Sequence, residues 1–204
     1  MKQIIKTEQR ILDAARKLFI VKGYQGTTME DIAKEANVNK AALHYYYRSK
    51  NKLFNLIFDE VLTLINTNLT NTLNANIGFE DKIKQIVAAY IDILIKHPYF
   101  PDFVIHELTS NPERIEKIVK RHNLFFRSFL RFQIEIKKEL KYRNISNIKP
   151  FELVLNIASL CVFPFLSKPI ITRVSDLFDE TQFEKLMNKR KTDIADSIIR
   201  SMAE

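Results

Sequence analysis

Asp92, His97, His106 and Glu107 are the side chains of this 204-residue chain that could in principle hold acid–base chemistry, and Cys161 is its one thiol. Such groups work as catalysts when a glycine loop cradles a phosphate, when a nucleophile sits on a sharp elbow, or when paired Cys and His residues hold a metal. None of these arrangements occurs in the sequence, so no catalytic residue and no cofactor is expected. His44 could ligate a metal, yet no second His, Cys or carboxylate stands at a ligand spacing from it, and no metal site is expected. Cys161 lies in the apolar run Leu160, Cys161, Val162, Phe163, which reads as a buried structural thiol without an intrachain disulfide partner.

A different chemistry is concentrated between residues 28 and 50, where hydrogen-bonding groups and aromatic rings alternate with small residues. The elements that must position them are short. Ile11, Leu12, Ala15, Leu18 and Phe19 share one face of a helix over residues 7–22, and Gly23 is expected to stop it. Thr27, Thr28, Met29 and Glu30 read as a capping box in which Thr27 accepts near Glu30, opening a short helix with Ile32 and Ala33 inward. Asn37 ends that helix, because Asn tolerates the left-handed backbone of a tight turn. Asn39 is a suitable N-cap for a third helix reaching Tyr46, and Ser49 caps a fourth beginning at Lys50. Two short helices joined by a tight turn, the second rich in polar and aromatic groups, meet the requirements of a helix-turn-helix over residues 28–48 whose second helix enters the major groove of DNA.

From Arg10 to Phe54 the order and spacing of these residues resemble the N-terminal domain of the TetR family of bacterial regulators. The similar elements are Ile11 to Ala15 with Leu18 and Phe19, then Gly23 and Tyr24, Thr27 and Thr28, Ile32 and Ala33, Ala36 to Val38, and Leu43 through Lys50 followed by Leu53. The chain departs from the usual pattern at Asn37 and Ala41, each in place of a Gly, at His44 in place of a Tyr, and at Tyr46 and Tyr47. The resemblance implies that Asn39, Lys40, Ala41, Ala42, His44, Tyr45 and Tyr46 form the recognition surface. Lys40 would donate to guanine acceptors or phosphate, and Ala41 and Ala42 would let the helix approach thymine methyls. Asn39 would cap the helix or pair with a base edge, while His44, Tyr45 and Tyr46 would reach phosphates, joined by Thr28 and Lys50 from neighbouring helix starts. Tyr47 matches a core aromatic.

The rest of the chain reads as further helices, making the fold all-α: a helix-turn-helix head over residues 1–50 and a larger body over 51–204. The helix from Lys50 carries Leu53, Leu56, Ile57, Val61, Leu64 and Ile65 inward and frays in the polar stretch 66–76. Others are expected over 79–97, 101–108, and from a start at Asn111, Pro112 and Glu113 to Tyr142. This last helix is basic, with its charges spread around it as a solvated face; a second DNA surface and binding to a membrane surface are the other readings. Residues 150–166 are almost wholly apolar and are expected to end or kink at Pro164, a linker fills 167–178, and a final helix spans 181–202.

In TetR-like proteins such a body binds a ligand and dimerises. The resemblance implies a homodimer through helices 150–166 and 181–202 and, from the aromatic density, a largely apolar pocket drawn from Tyr90, Phe100, Phe103, His106, Asn123, Phe126, Phe129 and Phe163. The partners implied are a palindromic double-stranded DNA operator, a second copy of the chain and a small, largely hydrophobic effector that releases a repressor. Bulk properties agree with a polyanionic partner. Net charge is +8, and the first fifty residues hold ten Lys or Arg against the five acids Glu8, Asp13, Glu30, Asp31 and Glu35. No secretory signal is visible after Met1, and no uncharged apolar run approaches the ~20 residues of a membrane span, so a cytoplasmic protein without a membrane partner is expected.

Overall fold

The computed structural model describes residues 2–98, 100–110, 113–174 and 179–202. Among these it forms α1 (Lys2–Gly26), α2 (Met29–Glu35), α3 (Lys40–Tyr46), α4 (Lys50–Leu73), α5 (Phe79–Lys96), α6 (Phe100–Ser110), α7 (Arg114–Arg121), α8 (Asn123–Tyr142), α9 (Pro150–Val174) and α10 (Glu180–Arg200), with no strand among the described residues. The chain divides into two compact units, one of Met1–Thr63 with Asp102–Pro112 and one of Leu64–Pro101 with Glu113–Glu204.

In the first unit the helical period of α1 buries Ile11, Ala14, Ala15, Leu18 and Phe19, which meet Ile32, Leu43, Leu53, Phe54 and Ile57 from the next three helices. The Phe54 ring is the hub of an aromatic cluster, edge-on to Phe19 at 5.2 Å and to Tyr24 at 4.8 Å. This packing explains why α1 continues through Gly23 to Gly26. A mid-helix glycine costs only about 1 kcal/mol, which the ring contacts of half-buried Tyr24 with Phe19 and Phe54 offset.

The capping box stands one residue later than expected. Thr28 is the N-cap of α2, its hydroxyl accepting from the backbone N–H of Asp31 at 3.1 Å while the Asp31 carboxylate accepts from the Thr28 backbone N–H at 3.0 Å. Thr27 is fully buried and donates its hydroxyl to the Leu18 carbonyl at 3.2 Å. A threonine committed to the core cannot cap, so the role passes to its neighbour.

In the second unit, α5, α8, α9 and α10 pack on one another through rows spaced three or four residues apart. These are Ile83, Val87, Ile91 and Leu94; Phe132, Ile136 and Leu140; Leu153, Ile157, Cys161 and Phe165; and Phe183, Met187, Ile194 and Ile198. Two ionic straps join α5 to α8. The nearly buried Lys82 ammonium donates to both Glu135 oxygens at 3.0 and 2.8 Å, and the Arg143 guanidinium bridges Glu80 at 2.9 Å and Glu139 at 2.8 Å.

Several boundaries differ from the sequence reading, each for a local reason. The polar stretch after Ile65 stays helical to Leu73 because Leu69, Thr70 and Leu73 continue the buried row. The basic segment is two helices broken at His122, and its expected start at Asn111 and Pro112 lies outside the described residues. Helix α9 does not end at Pro164; it continues through Pro164 and Pro169 to Val174, over the first part of the expected linker, whose residues 175–178 lie outside the described ones. Proline removes the donor that would serve the carbonyl four residues earlier. Here the Arg190 side chain of α10 donates to that carbonyl, Leu160 O, at 3.0 Å, so the helix keeps its bonding without a break. Extended in this way, α9 is long and apolar enough by length and composition alone to cross a membrane, although Glu152, Lys168 and Arg173 within it keep its uncharged run short of a span. One side of it, however, is packed into the unit through Leu153, Ile157, Cys161 and Phe165.

The Lys82–Glu135 pair gives a test of this packing. Removing one partner strands the other's charge, whereas an apolar isostere removes the need for a partner. Glu135→Ala is expected to destabilise the protein by about 2 kcal/mol in chemical denaturation, and Lys82→Met by less than about 1 kcal/mol, because Glu135 can still reach solvent.

Candidate nucleic-acid interface

The turn between α2 and α3 sets the direction of everything that follows. Asn37 adopts φ of +50°, the left-handed conformation that Asn accepts more readily than other side chains. The backbone N–H of Asn37 bonds Lys34 O at 3.1 Å and that of Val38 bonds Ala33 O at 2.9 Å, closing the end of α2. The Arg10 guanidinium of α1 donates to the Ala36 carbonyl and, at 2.7 Å, to the Asn37 carbonyl. A cation thus sits at the negative end of the α2 dipole. Lys17 pairs with Glu35 at 2.6 Å and Lys22 with Asp31 at 3.4 Å, so α1 holds both ends of α2.

Asn39 caps α3, its side-chain oxygen accepting from the Ala42 N–H at 2.7 Å. Leu43 is the one buried residue of this seven-residue helix. Lys40, Ala41, His44 and Tyr45 lie on its exposed side, Tyr45 at 82% exposure, with Ala42 and Tyr46 half-buried at the margins. Positions 40, 41, 44 and 45 are neighbours on a helical surface, and exposed Arg48 follows at the same spacing just beyond the helix. The Tyr45 and Tyr46 rings meet edge to face at 5.3 Å, which limits the orientations Tyr45 samples. The result is a narrow ridge of donors and rings with a flat alanine centre.

Besides Asn39, three of the expected contact residues carry structural duties. Lys40 pairs with Glu30 at 2.7 Å, an exposed interaction worth at most about 1 kcal/mol and therefore readily exchanged for a phosphate or base. The Thr28 hydroxyl is taken up in the capping box, and its hydrogen bonds hold the Asp31 carboxyl below the usual carboxylate range. The Lys50 ammonium points back to the end of α1, donating to Tyr24 O at 2.8 Å and Thr27 O at 2.9 Å, and lies 4.2 Å from the Tyr24 ring centroid. Lys50 is a strut between α4 and α1, with one N–H remaining for another acceptor. Arg10 and Arg48 are the residues the sequence reading counted only as charge. No local pattern marks Arg10, because its carbonyl partners lie 26 and 27 residues downstream.

The residues expected to line a pocket are distributed differently. Phe100 is buried, and Phe126 and Phe129 are half-buried beside Phe125, whose ring centroid is 5.5 and 6.4 Å from theirs. The Tyr90 hydroxyl has its pKa pushed up to about 12 by burial and by Cys161 nearby. Asn123 is exposed and Phe163 is 67% exposed, so these two turn to solvent and do not join the others. The side chains of Phe103 and His106 lie outside the described residues.

Residues 11–57 match the family model described as bacterial regulatory proteins, tetR family. The protein named Probable HTH-type transcriptional regulator YttP, of Bacillus subtilis, is 28% identical over 173 residues, 83% of this chain and 82% of that protein. IcaR of Staphylococcus epidermidis, named a negative transcriptional regulator of the biofilm operon icaADBC, is 28% identical over 115 residues, 56% of this chain and 60% of its own length. Among solved structures, a regulator from Clostridium perfringens aligns with a TM-score of 0.67 at 21% identity over 92% of this chain and 97% of that one. The fatty acid degradation regulator FadR of Bacillus halodurans aligns at 0.59, with 16% identity over 92% and 94%. At these identities the structures establish the shared fold.

Beneath the ridge, Tyr47 is buried and donates its hydroxyl to Glu8 at 3.4 Å; burial first, then the Glu8 charge, pushes its pKa up to about 12. The neutral phenol is thus favoured in the folded state, while the unfolded chain ionises near the ordinary value of about 10. Stability from this residue is complete below pH ~10 and is lost as pH rises toward ~12. Denaturation curves across that range should show the alkaline decline, and Tyr47→Phe should make it shallower, the remainder coming from Tyr90, whose hydroxyl is raised in the same way.

Proposed function

As a member of the TetR family of bacterial regulatory proteins, whose N-terminal domain is matched by its residues 11–57, this chain is a transcription regulator, and we propose that it represses by binding a palindromic operator as a homodimer. The observation that carries this reading is the exposed side of α3, where Lys40, Ala41, His44 and Tyr45 stand free of the core on a helix anchored by Leu43. Alanine lets a helix approach base edges, Lys40 serves guanine or phosphate, and Tyr45, Tyr46, His44 and Arg48 serve the backbone on either side. Asn39 keeps its cap, and Thr28 and Lys50 contribute mainly by fixing the helices that carry these groups. Repression is supported by the name of IcaR as a negative regulator.

The homodimer is supported by α9. Phe151, Leu155, Phe163 and Ile170 are large, exposed and spaced so that they fall on one side of the helix, opposite the buried row of Leu153, Ile157, Cys161 and Phe165. Covering such a row with its copy, alongside α10, would gain roughly 1.5–3 kcal/mol per fully buried side chain. The aromatic density of the second unit, with Tyr90, Phe100, Phe126 and Phe129, supports an effector of largely hydrophobic character, and helix α4, which begins in the first unit and ends in the second, is the covalent path by which its binding would reach the DNA-binding unit. The reading places the protein in the cytoplasm and assigns it no catalysis.

Replacement of ridge residues tests the assignment. Lys40→Ala and Tyr45→Ala should each weaken operator binding about tenfold in an equilibrium titration while leaving the melting temperature unchanged, since both side chains lie outside the core. Glu30→Gln, which frees Lys40, should tighten binding by a few-fold and steepen its salt dependence. Unchanged affinity in all three variants would remove α3 from the interface.

A further inference from the structure

Helix α8 carries a surface that DNA binding and dimerisation leave unused. Its buried row is Ser128, Phe132, Ile136 and Leu140, spaced by four, and on the opposite side Arg127, Leu130, Arg131, Ile134, Lys137, Lys138 and Lys141 are all exposed. The break at His122 rephases the helix, so charges that look scattered over one long helix are gathered on one side of α8. The acids of α8, Glu135 and Glu139, flank the buried row and are engaged by Lys82 and Arg143. The exposed stripe therefore holds five cations and no carboxylate over about 20 Å of helix. In its midst Leu130 is 59% exposed and Ile134 58%, and at the end of the helix Tyr142 is 84% exposed.

This combination selects among partners. A second copy of the stripe would be repelled by its own charge. A nucleic-acid backbone would use the cations but leave Leu130 and Ile134 in water. An anionic bilayer surface uses both: headgroups meet the Lys and Arg termini, the two aliphatic side chains reach the acyl boundary, and the long cationic stems lie along them. Tyr142 suits the same boundary, where aromatic rings with a polar tip collect. We propose that the exposed face of α8 docks the protein reversibly on an anionic phospholipid bilayer.

The test is sedimentation of the full chain with phosphatidylcholine vesicles, with and without phosphatidylglycerol, at low salt. Binding is expected only with the anionic lipid. The double variant Arg131→Glu, Lys138→Glu should lower the partition coefficient at least about tenfold, and Leu130→Ser, Ile134→Ser, which leaves charge unchanged, should lower it about fivefold. Operator affinity and helicity should be those of the parent in both. Vesicle binding that is absent, equal without phosphatidylglycerol, or unchanged in the two variants would overturn the proposal, the last result assigning any binding to the basic DNA-binding unit. Loss of affinity for random-sequence DNA in these variants, with vesicle binding retained, would also overturn it and assign the stripe to nucleic acid.

Discussion

A helix of seven residues cannot hold itself together in water, because the cost of nucleating it is not recovered over so few bonds. Both α2 and α3 are of this length. The groups available for recognition therefore depend on what the neighbouring helices supply: Ile32, Ala33 and Leu43 buried against α1 and α4, the Arg10 guanidinium on the last carbonyls of α2, and a side-chain cap at each start. Lys50 extends this support by fastening the start of α4 to the end of α1. Rigid presentation follows from many short-range anchors, none of which touches the exposed side of α3.

That division of labour separates residues that look alike in sequence. Lys40 and Lys50 are both lysines near helix starts, yet one is tied by an exposed, exchangeable pair and the other by two backbone carbonyls and a ring. Thr27 and Thr28 are adjacent, yet one is core and the other cap. Tyr45 and Tyr47 differ in the same way: one projects into solvent and the other lies beneath α3 against Glu8. In the lysine and tyrosine pairs one residue serves position and the other is left for contact, whereas both threonines serve position.

The head was legible in the sequence wherever the signal is local. The α1 face, the Asn37 turn, the Asn39 and Ser49 caps and the buried Tyr47 are all read from spacing or from one residue's conformational preference. What escaped depends on partners distant in the chain. Pro164 would normally end a helix, but Arg190, 26 residues later, supplies the missing donor. His122 interrupts the basic segment, and with it the phase of every charge that follows. Aromatic composition alone could not separate Phe165, buried against Phe183, from Phe163, which faces solvent two residues earlier. The placement of charge on a helix depends in turn on where that helix begins, here after His122.

The two units thus express one logic: an apolar row fixes each helix, and the opposite face is left for a partner. On α3 that partner is read as DNA, on α9 a second copy, and on α8 a lipid surface. The claim on which the functional reading rests is that two copies of the α3 ridge read one symmetric site. Selection of bound sequences from random DNA by the full chain, at low salt where phosphate contacts are strongest, measures this directly. Enrichment of an inverted repeat is the expected result; enrichment of no sequence, or of a site without twofold symmetry, would contradict it.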